Sequence, residues 1–133
     1  MNNIRVGFGY DVHVFASGRE LWLGGVKLDH SVGLLGHSDA DVLIHALCDA
    51  LLGAANLRDI GFHFPDTAGE FKNIDSKILL EKTIDLVSQK GYTVVNADIV
   101  VVAQRPKLKD YIPEFVKMQK GIEEYYGMEL ENM

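Results

Sequence analysis

An α+β fold, with helices packed on one face of a mixed β-sheet, is what this sequence predicts, and three features predict it. Residues 5–15 alternate as a strand does, residues 43–54 carry an apolar stripe at helical spacing, and residues 99–103 form a β-branched run suited to a buried strand. Strands and helices mixed in this way fit a layer of helices on a single sheet. With 133 residues, 47% of them apolar and 24% charged, the chain is long enough to bury one core without staples.

The first strand, Arg5-Val-Gly-Phe-Gly-Tyr-Asp-Val-His-Val-Phe15, contains Gly7 and Gly9, which point to a close backbone approach. A second strand region at 21–28 is expected to break or bulge at Gly24-Gly25. A glycine-rich loop follows, and Ser38-Asp39 offers an N-cap for a helix reaching about Ala55. Leu43, Ala46, Leu47, Ala50, Leu51 and Ala54 make one continuous stripe. Val42, Ile44 and Leu52 add apolar surface elsewhere, so the helix is expected to be covered on several sides. Asp41, His45 and Asp49 form a separate polar stripe, and on such a helix that marks a site. Residues 56–73 lack periodicity and read as one long loop, a length that in compact domains is uncommon and often functional. A second helix is expected over 75–89 with Gly91 as its stop, and a third from about Lys109 or Tyr111 to Gly127, with Pro113 in its first turn.

Thirteen basic against nineteen acidic residues give a net charge of −6 with no basic stripe, which argues against nucleic acid as a partner. The single Cys48 cannot make an internal disulfide, and no apolar run approaches the roughly 18 residues that span a bilayer. A soluble, cytoplasmic protein with no membrane partner is expected.

Asp11 and His13, two apart on a strand, project from the same face, and His45 on the following helix can supply a third ligand. Two imidazoles and one carboxylate with a fourth position open are the donor set of a catalytic zinc site. An Asp-X-His pair is also common where no metal binds, and a helix histidine is often a core residue. His37-Ser-Asp-Ala-Asp41 sits at a helix start, where free amides favour an anion, although simple capping by Ser38 or Asp39, with His37 as a loop residue, is the better reading of these residues alone. Asp59-Ile-Gly61 and Phe64-Pro-Asp66 lie in the long loop, where turn chemistry alone accounts for Asp and Gly. Ala103-Gln-Arg-Pro-Lys-Leu-Lys109 places cationic groups at a strand end, as a ligand site or as a solvated loop. Cys48 reads as a small buried apolar residue.

Taken together, Gly9-Tyr-Asp-Val-His13, Leu23-Gly-Gly-Val26, Gly33-Leu-Leu-Gly-His-Ser-Asp-Ala-Asp41, His45-Ala-Leu-Cys-Asp-Ala-Leu-Leu-Gly-Ala-Ala55, Asp59-Ile-Gly61 and Phe64-Pro-Asp66 stand in the order and spacing of one family. The chain closely resembles the 2-C-methyl-D-erythritol 2,4-cyclodiphosphate synthases. That resemblance implies a homotrimer with active sites between subunits, and a metal-dependent phosphorus–oxygen lyase of the non-mevalonate isoprenoid pathway. The implied reaction turns 4-diphosphocytidyl-2-C-methyl-D-erythritol 2-phosphate into the cyclic diphosphate and CMP. It implies Zn2+ on Asp11, His13 and His45, with Asp11 and His13 also at the substrate, and Mg2+ or Mn2+ bridging the substrate diphosphate. His37 is implied as catalytic and Ser38 as its companion at a substrate phosphate. Asp59, Ile60, Gly61, Phe64, Pro65 and Asp66 are implied around the methylerythritol moiety. Ala103, Gln104, Arg105, Pro106, Lys107, Leu108 and Lys109 are implied to receive the cytidine group from the adjacent subunit. The family pattern continues past Glu131-Asn-Met133 into a final strand with a Lys-Ala-Thr-Thr-type motif, so residues 1–133 are expected to form a single synthase domain lacking that segment.

Overall fold

The structure, a computed structural model, describes residues 3–36, 38–65 and 75–132, with side chains as far as Glu123. Among the described residues, four short strands, β1 (Phe15–Ala16), β2 (Leu21–Leu23), β3 (Val26–Leu28) and β4 (Gly33–Leu34), precede four helices. These are α1 (Val42–Ala54), α2 (Ile60–His63), α3 (Ser76–Gln89) and α4 (Ile112–Asn132), the last entered through a 3₁₀ turn at Lys109–Tyr111. The α+β class stands. The strands among the described residues form two antiparallel pairs, β1 with β4 and β2 with β3, rather than one mixed sheet.

Gly24-Gly25 is a hairpin turn and not a bulge. Both residues take positive φ, 59° and 77°, which a two-residue turn matched to the strand twist requires. It sets Leu21 opposite Leu28 and Leu23 opposite Val26. Leu21, Leu23 and Leu28 then face inward and join Leu34, Leu43 and Phe115 in one core cluster. A second cluster gathers Ile44, Leu47 and Cys48 of α1 with Leu80 and Ile84 of α3, Val94, and Ile122 of α4. Helix α1 feeds both clusters, which is why its apolar residues are not confined to one face.

The cap of α1 is Asp41 and not Ser38 or Asp39. Asp41 is fully buried, and its carboxylate accepts from the Ile44 amide at 3.1 Å and from the turn amides of Gly24 at 2.9 Å and Gly25 at 2.7 Å. One side chain thus caps the helix and fastens the hairpin to it. Burial pushes its carboxyl above the usual range despite these three donors. Asp41→Ala should cost about 3 kcal/mol, from the lost cap and two stranded turn amides, and lower the thermal midpoint by roughly 10 °C. Thermal unfolding followed by circular dichroism checks this.

Residues 4–14 and 94–103 make no strand ladder with each other among the described residues. The first segment nevertheless lies directly on α1. A Cβ at Gly7 would stand 1.8 Å from the Ala50 carbonyl oxygen, and one at Gly9 would stand 1.8 Å from that of Ala46. Glycine on the segment and alanine at 46, 50 and 54 on the helix allow the two backbones to touch, the approach that the glycines predicted. The opposite side of the segment carries Ile4, Val6, Phe8, Tyr10, Val12 and Val14, each 63–90% exposed. Helix α3 begins within a residue of its expected start, with Asp75 as its cap, but α4 runs past Gly127 to Asn132, and α2 interrupts the stretch read as a loop.

Candidate metal centre

The contact of Gly9 with α1 carries the chain one step further to the start of that helix, where Asp11 and His13 meet His45. Asp11 Oδ2 lies 2.8 Å from His13 Nε2 and 3.4 Å from His45 Nδ1. One ligand atom from each of the three falls within 4.8 Å of the other two. The imidazole centroids are 5.6 Å apart and tilted by 58°, so both rings edge toward one point without stacking.

The donors fit a metal ion. Bonds of about 2.0 Å in a tetrahedron place ligand atoms roughly 3.3 Å apart, close to the Asp11–His45 separation. Each ring also turns its other nitrogen to a different neighbour. His13 Nδ1 donates to the Leu35 carbonyl at 2.7 Å, while His45 Nε2 faces the Ser76 hydroxyl at 3.0 Å. Outer contacts of this kind orient metal-binding histidines.

The charges favour a cation. Burial alone would raise the Asp11 carboxyl, but the His45 hydrogen bond, and then the charge and hydrogen bond of His13, hold it below its usual value. Burial alone would lower His45. The Asp11 hydrogen bond and charge, with Asp41 and Asp39 behind them, outweigh burial and raise it. Asp11 thus favours positive charge at the place where His45 stands, the charge a metal ion would bring.

Around this cluster the other site residues fall unevenly. Ser38, buried and at a positive φ of 58°, sets its Oγ 3.4 Å from His45 Nε2. His37 and Asp66 lie outside the described residues. Asp59 caps α2 by accepting from the Phe62 amide at 2.9 Å, and Asp49, one turn beyond His45 on α1, accepts from the Ile60 amide at 2.8 Å. Ile60 and Gly61 are thereby held beside α1, followed by the half-buried Phe64 and Pro65. The polar stripe on α1 divides: His45 enters the cluster, whereas Asp41 and Asp49 anchor neighbouring backbone. Residues 103–109 share no hydrogen bond or ion pair with the cluster among the described residues, and Leu108 packs into the core beside α4. Cys48 is fully buried and its thiol is pushed up to about 12 by that burial, so it is no nucleophile.

The residues that sequence reading missed are Asp39 and Ser76 in their tertiary role, and Arg19. Arg19 donates from Nη2 to the Ser38 carbonyl at 2.9 Å and so braces the turn that presents Ser38. Asp39 was read as a local cap, and no spacing rule links residues 37 or 19 positions apart.

Fold and cluster together define a small α+β protein with an Asp/His/His group able to bind a metal ion. Residues 4–133 match the model of the YgbB family, and the chain belongs to that family. A relative from Phocaeicola vulgatus, named 2-C-methyl-D-erythritol 2,4-cyclodiphosphate synthase, is 74% identical over 111 residues, covering 84% of this chain and 69% of its own. One of the same name from Bacteroides thetaiotaomicron is 64% identical over 130 residues, covering 98% and 80%. A solved structure of such a synthase in its CDP-bound form superimposes with a TM-score of 0.83 at 38% identity, over 89% of this chain and 79% of that one. A Plasmodium falciparum IspF in complex with CDP gives 0.75 at 36% identity, over 92% and 74%.

Proposed function

We infer that this protein is a metal-dependent cyclodiphosphate synthase of the non-mevalonate isoprenoid precursor pathway. It converts 4-diphosphocytidyl-2-C-methyl-D-erythritol 2-phosphate into 2-C-methyl-D-erythritol 2,4-cyclodiphosphate and CMP. The observation that carries this reading is the convergence of Asp11, His13 and His45 within 4.8 Å in a chain of this family.

The substrate brings its own nucleophile. An oxygen of the 2-phosphate attacks the β-phosphorus, a new P–O bond closes the ring, and the bond to the α-phosphate breaks to release CMP. No protein nucleophile is needed, in keeping with the inert Cys48. The residues have only to fold the substrate into line and balance its charge. Zinc bound by Asp11, His13 and His45 would act as a template and Lewis acid for a phosphate oxygen. Asp11 and His13 also border the substrate, and Ser38, whose Oγ stands beside the cluster, contacts a phosphate together with His37, the catalytic partner. The segment from Asp59 through Gly61 and on to Phe64, Pro65 and Asp66 encloses the methylerythritol moiety. Magnesium or manganese, hard cations that prefer oxygen, would supply charge neutralisation at the substrate diphosphate.

Residues 1–133 belong to a single synthase domain that acts as a homotrimer. The exposed row of Ile4, Val6, Phe8, Tyr10, Val12 and Val14, joined by Val100 and Val102, supports assembly, because a lone subunit would leave it in water. Assembly also gives a role to Ala103, Gln104, Arg105, Pro106, Lys107, Leu108 and Lys109, which are apart from the cluster of their own chain and receive cytidine at a neighbour's. No helix among the described residues is long and apolar enough to cross a membrane, and the buried free Cys48 suits a reducing cytoplasm.

Turnover in water enriched in heavy oxygen separates cyclisation from hydrolysis of the same substrate. Cyclisation leaves no solvent oxygen in either product, and mass spectrometry of CMP and of the diphosphate is expected to find none. One solvent oxygen per turnover would make the protein a phosphohydrolase.

A further inference from the structure

His45 is held by a part-buried chain of polar groups that supplies no ligand atom. Its Nε2 lies 3.0 Å from Ser76 Oγ and 3.4 Å from Ser38 Oγ, while its Nδ1 faces Asp11 Oδ2. Ser76, 0% exposed, is the first residue of α3. Its hydroxyl makes a short hydrogen bond to Asp39 Oδ1, and its amide donates to Asp39 Oδ2 at 2.9 Å. The Asp41 amide adds a third donor to the same carboxylate at 3.0 Å.

The direction of these bonds decides the state of the ring. A carboxylate taking three donors acts as acceptor throughout, so the single hydrogen of the Ser76 hydroxyl goes to Asp39. Ser76 Oγ then shows His45 only lone pairs. Nε2 must carry a hydrogen to bond there, and the lone pair of the imidazole is left on Nδ1, on the side of Asp11. Ser38 Oγ, farther away and already accepting from the Ala40 amide at 3.3 Å, is not needed for this and keeps its hydrogen for a substrate oxygen.

We propose that Asp39 and Ser76 are positioning residues for the metal ligand His45: the Asp39 carboxylate, acting through the Ser76 hydroxyl, fixes the His45 ring so that Nδ1 is the nitrogen offered to the metal. This rests on the reading of Asp11, His13 and His45 as zinc ligands. His13 is set differently, by the neutral Leu35 carbonyl on its Nδ1, and so offers Nε2. The carboxylate behind Ser76 also makes the His45 ring the more electron-rich of the two donors.

The test titrates zinc into metal-stripped wild-type protein and the Ser76→Ala variant, in competition with a chromophoric chelator. In parallel, nitrogen-15 NMR of the zinc-loaded wild type reads the two His45 nitrogens. Ser76→Ala is expected to weaken zinc roughly 10- to 100-fold, the usual loss for such an outer partner. In the wild type, Nδ1 is expected to shift on zinc binding while Nε2 keeps a slowly exchanging hydrogen. Wild-type protein that binds zinc while Ser76→Ala binds it within twofold overturns the relay alone. Zinc on Nε2 of the wild-type His45 also overturns it, and that readout stands even if the variant does not fold. A wild-type chain that takes up no zinc overturns the metal reading and the relay with it.

Discussion

Replacing His45 by alanine is expected to reduce bound zinc from one ion per chain to none and to lower the rate of CMP release by roughly 10³-fold or more. Two ligands, Asp11 and His13, remain after the change, and on a flexible pair of donors a zinc ion exchanges its place for water or buffer. Asp11 loses one of the two imidazoles that hold its carboxyl down, so burial, which pushes it upward, is less opposed. The fold should survive, because Ile44, Leu47 and Cys48 carry the contact of α1 with α3 and alanine is a strong helix former. Metal analysis by atomic emission, with circular dichroism on the same sample, separates loss of the ion from loss of the fold. A variant that still carries one zinc would remove His45 from the ligand set.

Gly9→Ala is expected to do comparable damage from outside the site. The added methyl would stand 1.8 Å from the Ala46 carbonyl oxygen and 2.8 Å from the Ala50 amide nitrogen. Both are helix backbone atoms and cannot rotate aside, so the segment of residues 4–14 must lift from α1. Asp11 and His13 ride on that segment and His45 on the helix, so the lift opens the cluster. A destabilisation of about 1–3 kcal/mol is expected from the overpacking itself. Zinc affinity should fall on the order of 100-fold, since two of three ligands move together. Chemical denaturation and the chelator titration measure the two effects. Unchanged zinc affinity in a destabilised Gly9→Ala protein would show that the contact holds the fold but does not place the ligands.

Much of the site was legible because its parts follow local rules. Asp11 and His13 are two apart on a segment whose burial alternates, and His45 sits on a helix that its apolar stripe makes plain. Gly7 and Gly9 announced the close approach that unites them. What stayed hidden depends on partners distant in the chain. Asp41, His45 and Asp49 look equivalent on a helical wheel, yet only His45 joins the cluster, because the Gly24-Gly25 turn and the start of α2 claim the two carboxylates. The break at Gly24-Gly25 was legible, but the hairpin it makes was not, because three-residue strands are too short to show their own alternation. Helix α2 has four residues and exists through the Asp59 cap and the Asp49 anchor, neither of which is a periodic signal. Ser76 looked like the first residue of a helix, which it is, and nothing in its neighbourhood pointed to Asp39 or His45.

Phosphorus NMR of the purified protein with 4-diphosphocytidyl-2-C-methyl-D-erythritol 2-phosphate, zinc and magnesium tests the central claim most directly. The expected spectrum shows the two coupled phosphorus signals of the cyclic diphosphate growing together with one equivalent of CMP, and no growth when zinc is withheld. A linear phosphorylated product, or substrate left unchanged with zinc bound, would contradict it.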